Sequence, residues 1–353
     1  MIYDIKKTYL ENLKQGPCFK DELPNNRALP PEKEWVDFLG FPVSSRLGIP
    51  AGPLLSSEWI KLATQLGYDI VTYKTIRSSV HEAHPLPNIV YIDPKTPLSF
   101  GKGDALCIEN PPQFFEDLAI TNSFGMPSSS PNFILNDIPK AYSSLNRGQV
   151  MVVSIVGSQK EKKTFIEDFS DTAVLAKKAG AKILEANFSC PNVASGEGAI
   201  YTNPKTVFEI ASQLVKTVPD LPIILKVGAF PHLDLMREVF LSAARAGVRA
   251  ISGINTISKN IVNIDKTPAL GNNRLTGGVC GTPIRNAALH FIRNARHIIN
   301  TEGINIQLIG VGGVTLPKHV DIFLEEGADF VQTATGMMWN PFLAANYHKK
   351  QKG

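Results

Sequence analysis

No two of the four cysteines, Cys18, Cys107, Cys190 and Cys280, stand close together in the chain. Without a C-x-x-C pair, a zinc site or iron–sulfur cluster built from this chain alone is not expected, and a disulfide framework has no support. No metal site is therefore assigned. Long apolar runs are also missing. The stretch "MIYDIKKTYLENLKQG" has neither a signal-type apolar core nor a membrane span. Its positions Ile2, Ile5, Tyr9 and Leu13 suit a short amphipathic helix docked on its own domain. Charge of one sign is scarce: 36 lysines and arginines against 32 aspartates and glutamates leave +4. So mild and scattered a balance argues against nucleic acid or an anionic membrane as partner. These absences together lead us to expect a soluble protein of a reducing compartment, the cytoplasm.

What is present is ordinary globular material, 43% apolar and 19% charged over 353 residues, enough for one large barrel or two average domains. From about Gly48, short β-rich runs alternate with helical patterns. The runs are "GIPAGPL", "YDIVTYKTI", "VMVVSIVG", "AKILEANFS", "LPIILKVGAF", "VRAISGINT", "IQLIGVGG" and "ADFVQTATG". Between them lie patterns such as "FIEDFSDTAVLAKKAG" and "LDLMREVFLSAARAG", which end in the glycine that commonly stops a helix. Fully apolar strands alternating with helices predict a covered parallel sheet, and the count predicts an α/β fold of the (β/α)8 TIM-barrel type. Residues 77–149 break the rhythm with many prolines and no clean strand–helix pair. They are read as an insertion after the second strand, on the face where barrels keep their chemistry. A smaller insertion, "SKNIVNIDKTPALGNNRLTGGVCG", follows the sixth strand. No linker divides the chain, so residues 1–353 are expected to form one domain, with residues 1–45 as an N-terminal extension.

Barrel enzymes draw their reactive side chains from the C-terminal ends of several strands. Here those ends carry Lys74, Asn187 with Cys190, Lys226, Asn255 with Thr256, and Gly312-Gly313. Lys226 is the hardest to explain as structure, because an ammonium inside an apolar strand is costly unless neutralised. Two readings stay open: an ion pair with Glu185 on the neighbouring strand, or a fixed positive charge awaiting an anion such as a reduced cofactor. Lys74 repeats the question on a second strand. "IGVGG" and "TATG" are short loops of small residues in the last two units, where barrels often hold a phosphate. A phosphate on one side and a central lysine fit flavin mononucleotide (FMN) across the barrel mouth. Cys190 stands after a strand end and before a proline and a small-residue loop, a plausible place for a base if some thiolate forms. Asn122, Asn187, Asn192 and Asn255 offer uncharged donors and acceptors suited to a pyrimidine, provided they converge.

"EANFSCPN" resembles the signature of the dihydroorotate dehydrogenases. In order around it stand "IPAGP", "VTYKTI", "NSFGMP", "ILKVG", "INT", "GGVCGTPI", "IGVGG" and "VQTATG", each similar to a family segment, from about Gly48 to Pro341. The resemblance implies an FMN barrel that oxidises dihydroorotate to orotate in pyrimidine synthesis, with Cys190 as base and Lys226 stabilising the reduced flavin. Asn122, Gly125, Met126, Asn187, Asn192, Asn255 and Thr256 would surround the pyrimidine, and Lys74 would touch both orotate and flavin. Ala51, Gly52, Lys74, Asn187 and Lys226 would border the cofactor, with Gly281, Gly312, Gly313, Ala334 and Thr335 around its phosphate. "VASGEGA" resembles the family's lid. A cysteine base resembles the soluble class 1 enzymes, some homodimers that use fumarate and others paired with an electron-transfer subunit. The departures are Ser128 where asparagine is usual, Phe124 where methionine is common, and the N-terminal extension. Rival readings are a dihydropyrimidine dehydrogenase-like enzyme acting on uracil or thymine, and a flavin-binding module without turnover.

Overall fold

Segments such as Ile70-Val71-Thr72-Tyr73 and Ile223-Ile224-Leu225 combine β-branched and other apolar side chains with no proline, which suits a strand buried on both faces. The computed structural model, which describes residues 1–24, 27–96, 98, 103–189 and 200–351, places eight such segments in one closed parallel barrel. The strands are β1 (Leu47–Ile49), β2 (Ile70–Ile76), β3 (Val150–Ile155), β4 (Leu184–Asn187), β5 (Ile223–Val227), β6 (Ala250–Gly253), β7 (Gln307–Val311) and β8 (Phe330–Gln332). Each pairs with its neighbours in chain order, and β8 closes on β1 with Val331 opposite Leu47. This is the predicted TIM barrel, with all eight strands in the predicted runs. Among the described residues no helix is long and apolar enough to cross a membrane.

Period-two alternation then sorts the barrel interior. Ile70, Val150, Ile183, Ile224, Ala250, Ile309 and Phe330 belong to one apolar cluster at the N-terminal ends of the strands. Two residues further on, the inward positions turn polar: Thr72 on β2, Glu185 on β4, Lys226 on β5, Ser252 on β6 and Gln332 on β8, all buried. The barrel is thus dry at its base and polar toward its mouth.

Part of the extension plugs that base. Val36–Phe38 and Phe41–Val43 form an antiparallel hairpin whose turn residues Leu39 and Gly40 both have positive φ, as a tight two-residue turn requires. Phe38 meets Phe330 edge-on at 4.8 Å. The N-terminal helix is shorter than its apolar spacing predicts. It spans Tyr9–Gln15, because the reciprocal Thr8–Glu11 capping box starts it there, and Ile2 and Ile5 lie ahead of it.

The reading of residues 77–149 needs correction. Residues Pro131–Ser143 are a regular barrel helix between β2 and β3, capped by Ser130 accepting from the Phe133 N–H. An internal proline, Pro139, masked its periodicity. The remaining strands, Tyr91–Ile92, Asp104–Ile108 and Ala119–Asn122, combine with Ile257–Val262 and Thr276–Gly281 into a second, five-stranded closed sheet. The two insertions therefore build one body, and Gly278 lies opposite Asn122 across it.

Phe38 is fully buried in the base, so Phe38→Ala should cost about 3–5 kcal/mol of stability. A lowered thermal midpoint with ligand affinity at the barrel mouth retained is the expected outcome; an unchanged midpoint would mean the hairpin is not part of the core.

Candidate functional site

A cavity opens where the strands end. Its floor is the polar interior layer, since Lys226, Glu185 and Gln332 all border it. Lys74, Asn187, Asn255 and Thr256 rise from the ends of β2, β4 and β6, and Asn122 comes from the second sheet. Ala51 and Gly52 form one side, and the small residues Gly281, Gly312, Gly313, Ala334 and Thr335 form another. Residues between Ala51 and Thr335 in the chain thus meet in one place.

Lys226 is buried and lies in the register of Asn187 on one side and Ser252 on the other. Its Nζ is 3.3 Å from Ser252 Oγ. Burial pushes its pKa down, and the Glu185 carboxylate acts in the opposite sense. For Glu185, burial pushes the pKa up, while Lys226 and the Ser154 hydroxyl pull it back. Glu185 Oε1 has no hydrogen-bond partner among the described residues. The two groups therefore influence one another across space. Thr121 Oγ1, Thr256 Oγ1 and Gln332 Oε1 are also buried without a partner among the described residues, and all three residues face the cavity. Buried polar atoms left unpaired at a cavity wall mark places for a polar ligand. Gly52 adds room: its φ is +139° and a Cβ there would meet no atom within 4 Å.

The asparagines are already oriented. Asn187 accepts at Oδ1 from the Ser189 N–H and points Nδ2 at the Met126 sulfur, 3.5 Å away. Asn255 donates to the Ser189 carbonyl at 2.5 Å and accepts from the Thr256 N–H at 2.8 Å. Met126 and Gly125 do not border the cavity; they stand behind it. Met126 backs Asn187, and Gly125 holds φ +75° with the His84 ring so close that a Cβ would lie 2.5 Å from it. Cys190, Asn192 and the "VASGEGA" loop lie outside the described residues.

Several cavity residues were missed. Gln332 is a polar residue inside "ADFVQTATG", as anomalous in an apolar strand as Lys226 is in β5. Tyr3 and Tyr9 border the cavity from the N-terminal segment, and no local pattern signals that a distant segment reaches the barrel mouth. Of the two departures near the pocket, Phe124 borders the cavity and Ser128 does not. The Ser128 hydroxyl accepts from the Arg77 N–H at 3.0 Å and donates to the Ser129 carbonyl, so it serves the local backbone.

A family model described as dihydroorotate dehydrogenase matches residues 109–350. A dihydroorotate dehydrogenase of Dictyostelium discoideum is 45% identical over 361 residues, covering 99% of this chain and 97% of that protein. The catalytic subunit of a dihydroorotate dehydrogenase B (NAD(+)) of Maridesulfovibrio salexigens is 33% identical over 183 residues, 51% of this chain and 57% of that one. The crystal structure of the Eimeria tenella dihydroorotate dehydrogenase (DHODH) in complex with ferulenol shares the fold. Its TM-score is 0.72 at 17% identity, covering 93% of this chain and 86% of the other.

The loop after β7 depends on a neutral histidine. Nδ1 of the buried His319 accepts from the N–H groups of Thr315 and Leu316, each at 3.2 Å, while Arg285 Nε donates to the Gly313 carbonyl at 2.7 Å. Burial, with Arg285 and Lys318 nearby, lowers the His319 pKa from 6.5 to about 4. The unfolded chain then binds this proton more readily than the folded one, so the stability it contributes is complete above about 6.5 and is lost as pH falls toward 4. Thermal midpoints measured across that window should fall in wild type and fall less in His319→Gln; parallel profiles would refute this account.

Proposed function

The chain belongs to the dihydroorotate dehydrogenase family, and from that membership we propose that it oxidises (S)-dihydroorotate to orotate in pyrimidine biosynthesis, with FMN as cofactor. The observation that carries the reading is the convergence of two lysines and three asparagines on one cavity where several buried polar atoms have no partner among the described residues. The residues fit the cofactor: Ala51 and Gly52 leave open space on one side, and the small residues after β7 and β8 suit a phosphate on the other.

Dihydroorotate must lose a proton from C5 and a hydride from C6 to form the C5=C6 double bond. When bound, FMN supplies the two-electron acceptor for that hydride. Cys190 is assigned the C5 proton, which its thiolate takes as general base. No described histidine stands near it in sequence, so turnover is expected to rise with pH as thiolate forms. Lys226 places a positive charge in the buried floor, where it offsets negative charge far more strongly than it would in water. Asn122, Asn187, Asn192 and Asn255 pair with the alternating N–H and C=O groups of the pyrimidine, and Thr256 adds a hydroxyl. Lys74 meets the anionic side of the substrate at the cofactor's edge. Met126 acts through Asn187, and Gly125 lets the chain turn beside His84.

The wider expectations belong to the same proposal: one working unit over residues 1–353, a cytoplasmic location, and a homodimer with or without an electron-transfer subunit.

Anaerobic addition of dihydroorotate to the purified, FMN-loaded protein should bleach the flavin's visible absorbance. Cys190→Ala should retain the flavin and slow bleaching by about 10²–10⁴-fold. A flavin that stays oxidised with dihydroorotate yet is reoxidised from its reduced form by uracil would select the dihydropyrimidine reading. Inertness to both would select a binding module.

A further inference from the structure

The N-terminal extension supplies two residues, Tyr3 and Tyr9, to the cavity lining. Its path is fixed by backbone bonds: the Ile2 N–H donates to the Met338 carbonyl at 2.8 Å, and the Cys18 N–H to the Ile2 carbonyl at 2.8 Å. Buried Asn12 ties the turn before the helix, donating to the carbonyls of Asp4, Lys7 and Thr8. Thus held, Tyr3 packs against Trp59 with ring centroids 6.0 Å apart and edge-on to Phe124 at 5.7 Å. Tyr9 meets the same Phe124 edge-on at 6.2 Å. The aromatic at position 124 is therefore the ring on which both tyrosines lean.

Tyr9 also faces a cation. The Lys74 ammonium lies 5.6 Å from the centroid of the Tyr9 ring, inside the range of a cation–π attraction. Tyr9 and Lys74 are 7% and 8% exposed, so the contact is largely desolvated, the condition in which this attraction is strongest. Burial and the neighbouring Tyr3 push the Tyr9 phenol well above its ordinary pKa, so it presents a neutral ring. Lysine has a flexible four-carbon stem, and an ammonium restrained before a ligand arrives loses less entropy on binding. We propose that Tyr9 is a positioning residue, whose ring face holds the Lys74 ammonium at the cavity wall where the anionic substrate meets it. The proposal rests on the reading of Lys74 as a substrate contact.

The test uses full-length protein with Tyr9→Phe and Tyr9→Leu, the first keeping the ring face and the second keeping only apolar bulk. Orotate titrated into the FMN-loaded protein, read from the flavin spectrum, should bind Tyr9→Phe within about twofold of wild type and Tyr9→Leu about tenfold more weakly. In steady state the loss should fall on KM for dihydroorotate, with kcat nearly unchanged. A second readout needs no cofactor: reductive methylation of Lys74 in stripped protein, followed by mass spectrometry, should be faster in Tyr9→Leu and not in Tyr9→Phe. Should Tyr9→Leu fail to fold, Phe124→Leu removes the ring that Tyr9 leans on and should reproduce the pattern more weakly. Equal behaviour of the Phe and Leu variants in binding and methylation overturns the proposal. Failure of wild type to bind orotate would overturn the substrate reading instead, and the methylation rates would still decide the role of Tyr9.

Discussion

Removing an ammonium from water costs several kcal/mol even after the protein relaxes around it, and Lys226 bears that cost in the middle of β5. Its surroundings follow from the need to limit the penalty without cancelling the charge. Glu185 stands on the next strand but closes no hydrogen bond through Oε1, and Ser252 offers one oxygen at 3.3 Å. A tighter ion pair would stabilise the lysine and leave nothing for a ligand. A fully apolar floor would drive the proton off. The arrangement lies between these limits, which suits a group that must stay ready to meet negative charge.

The two-step gradient inside the barrel makes this possible. On β2, β4, β5, β6 and β8 the inward positions begin apolar and turn polar toward the C-terminal end, and the Phe38 hairpin seals the apolar end. Water is thereby kept from the underside of the polar layer, so its charges act in a low effective dielectric. The second sheet performs a similar service at the mouth: Asn122, Thr121, Cys280 and Gly281 reach the cavity from it. Barrel strands alone would supply no group on that side.

Legibility in the sequence followed the range of the forces involved. Strand order was readable because burial on both faces forces long apolar runs, and Lys226 stood out because it violates that rule. Positions such as Asn255 and Gly312 were readable through their place at strand ends. The Pro131–Ser143 helix was missed because Pro139 breaks the local pattern. The second sheet was missed because its strands are two to six residues long and come from separate insertions. Tyr3, Tyr9 and the purpose of Phe124 were invisible for a further reason. Their contacts join parts of the chain whose proximity only the completed fold creates.

Ile2 pairs with the backbone of Met338, and the Arg27 guanidinium lies 2.8 Å from both Asp69 and His348. The extension therefore docks on surfaces contributed by the far end of the chain. During synthesis the contacts with Met338 and His348 cannot form until almost the whole barrel has emerged. Contacts of such long sequence separation form late and slowly. The aromatic wall of the cavity is accordingly among the last parts assembled, and a chain arrested short of β8 would hold most of its strands and none of its finished site.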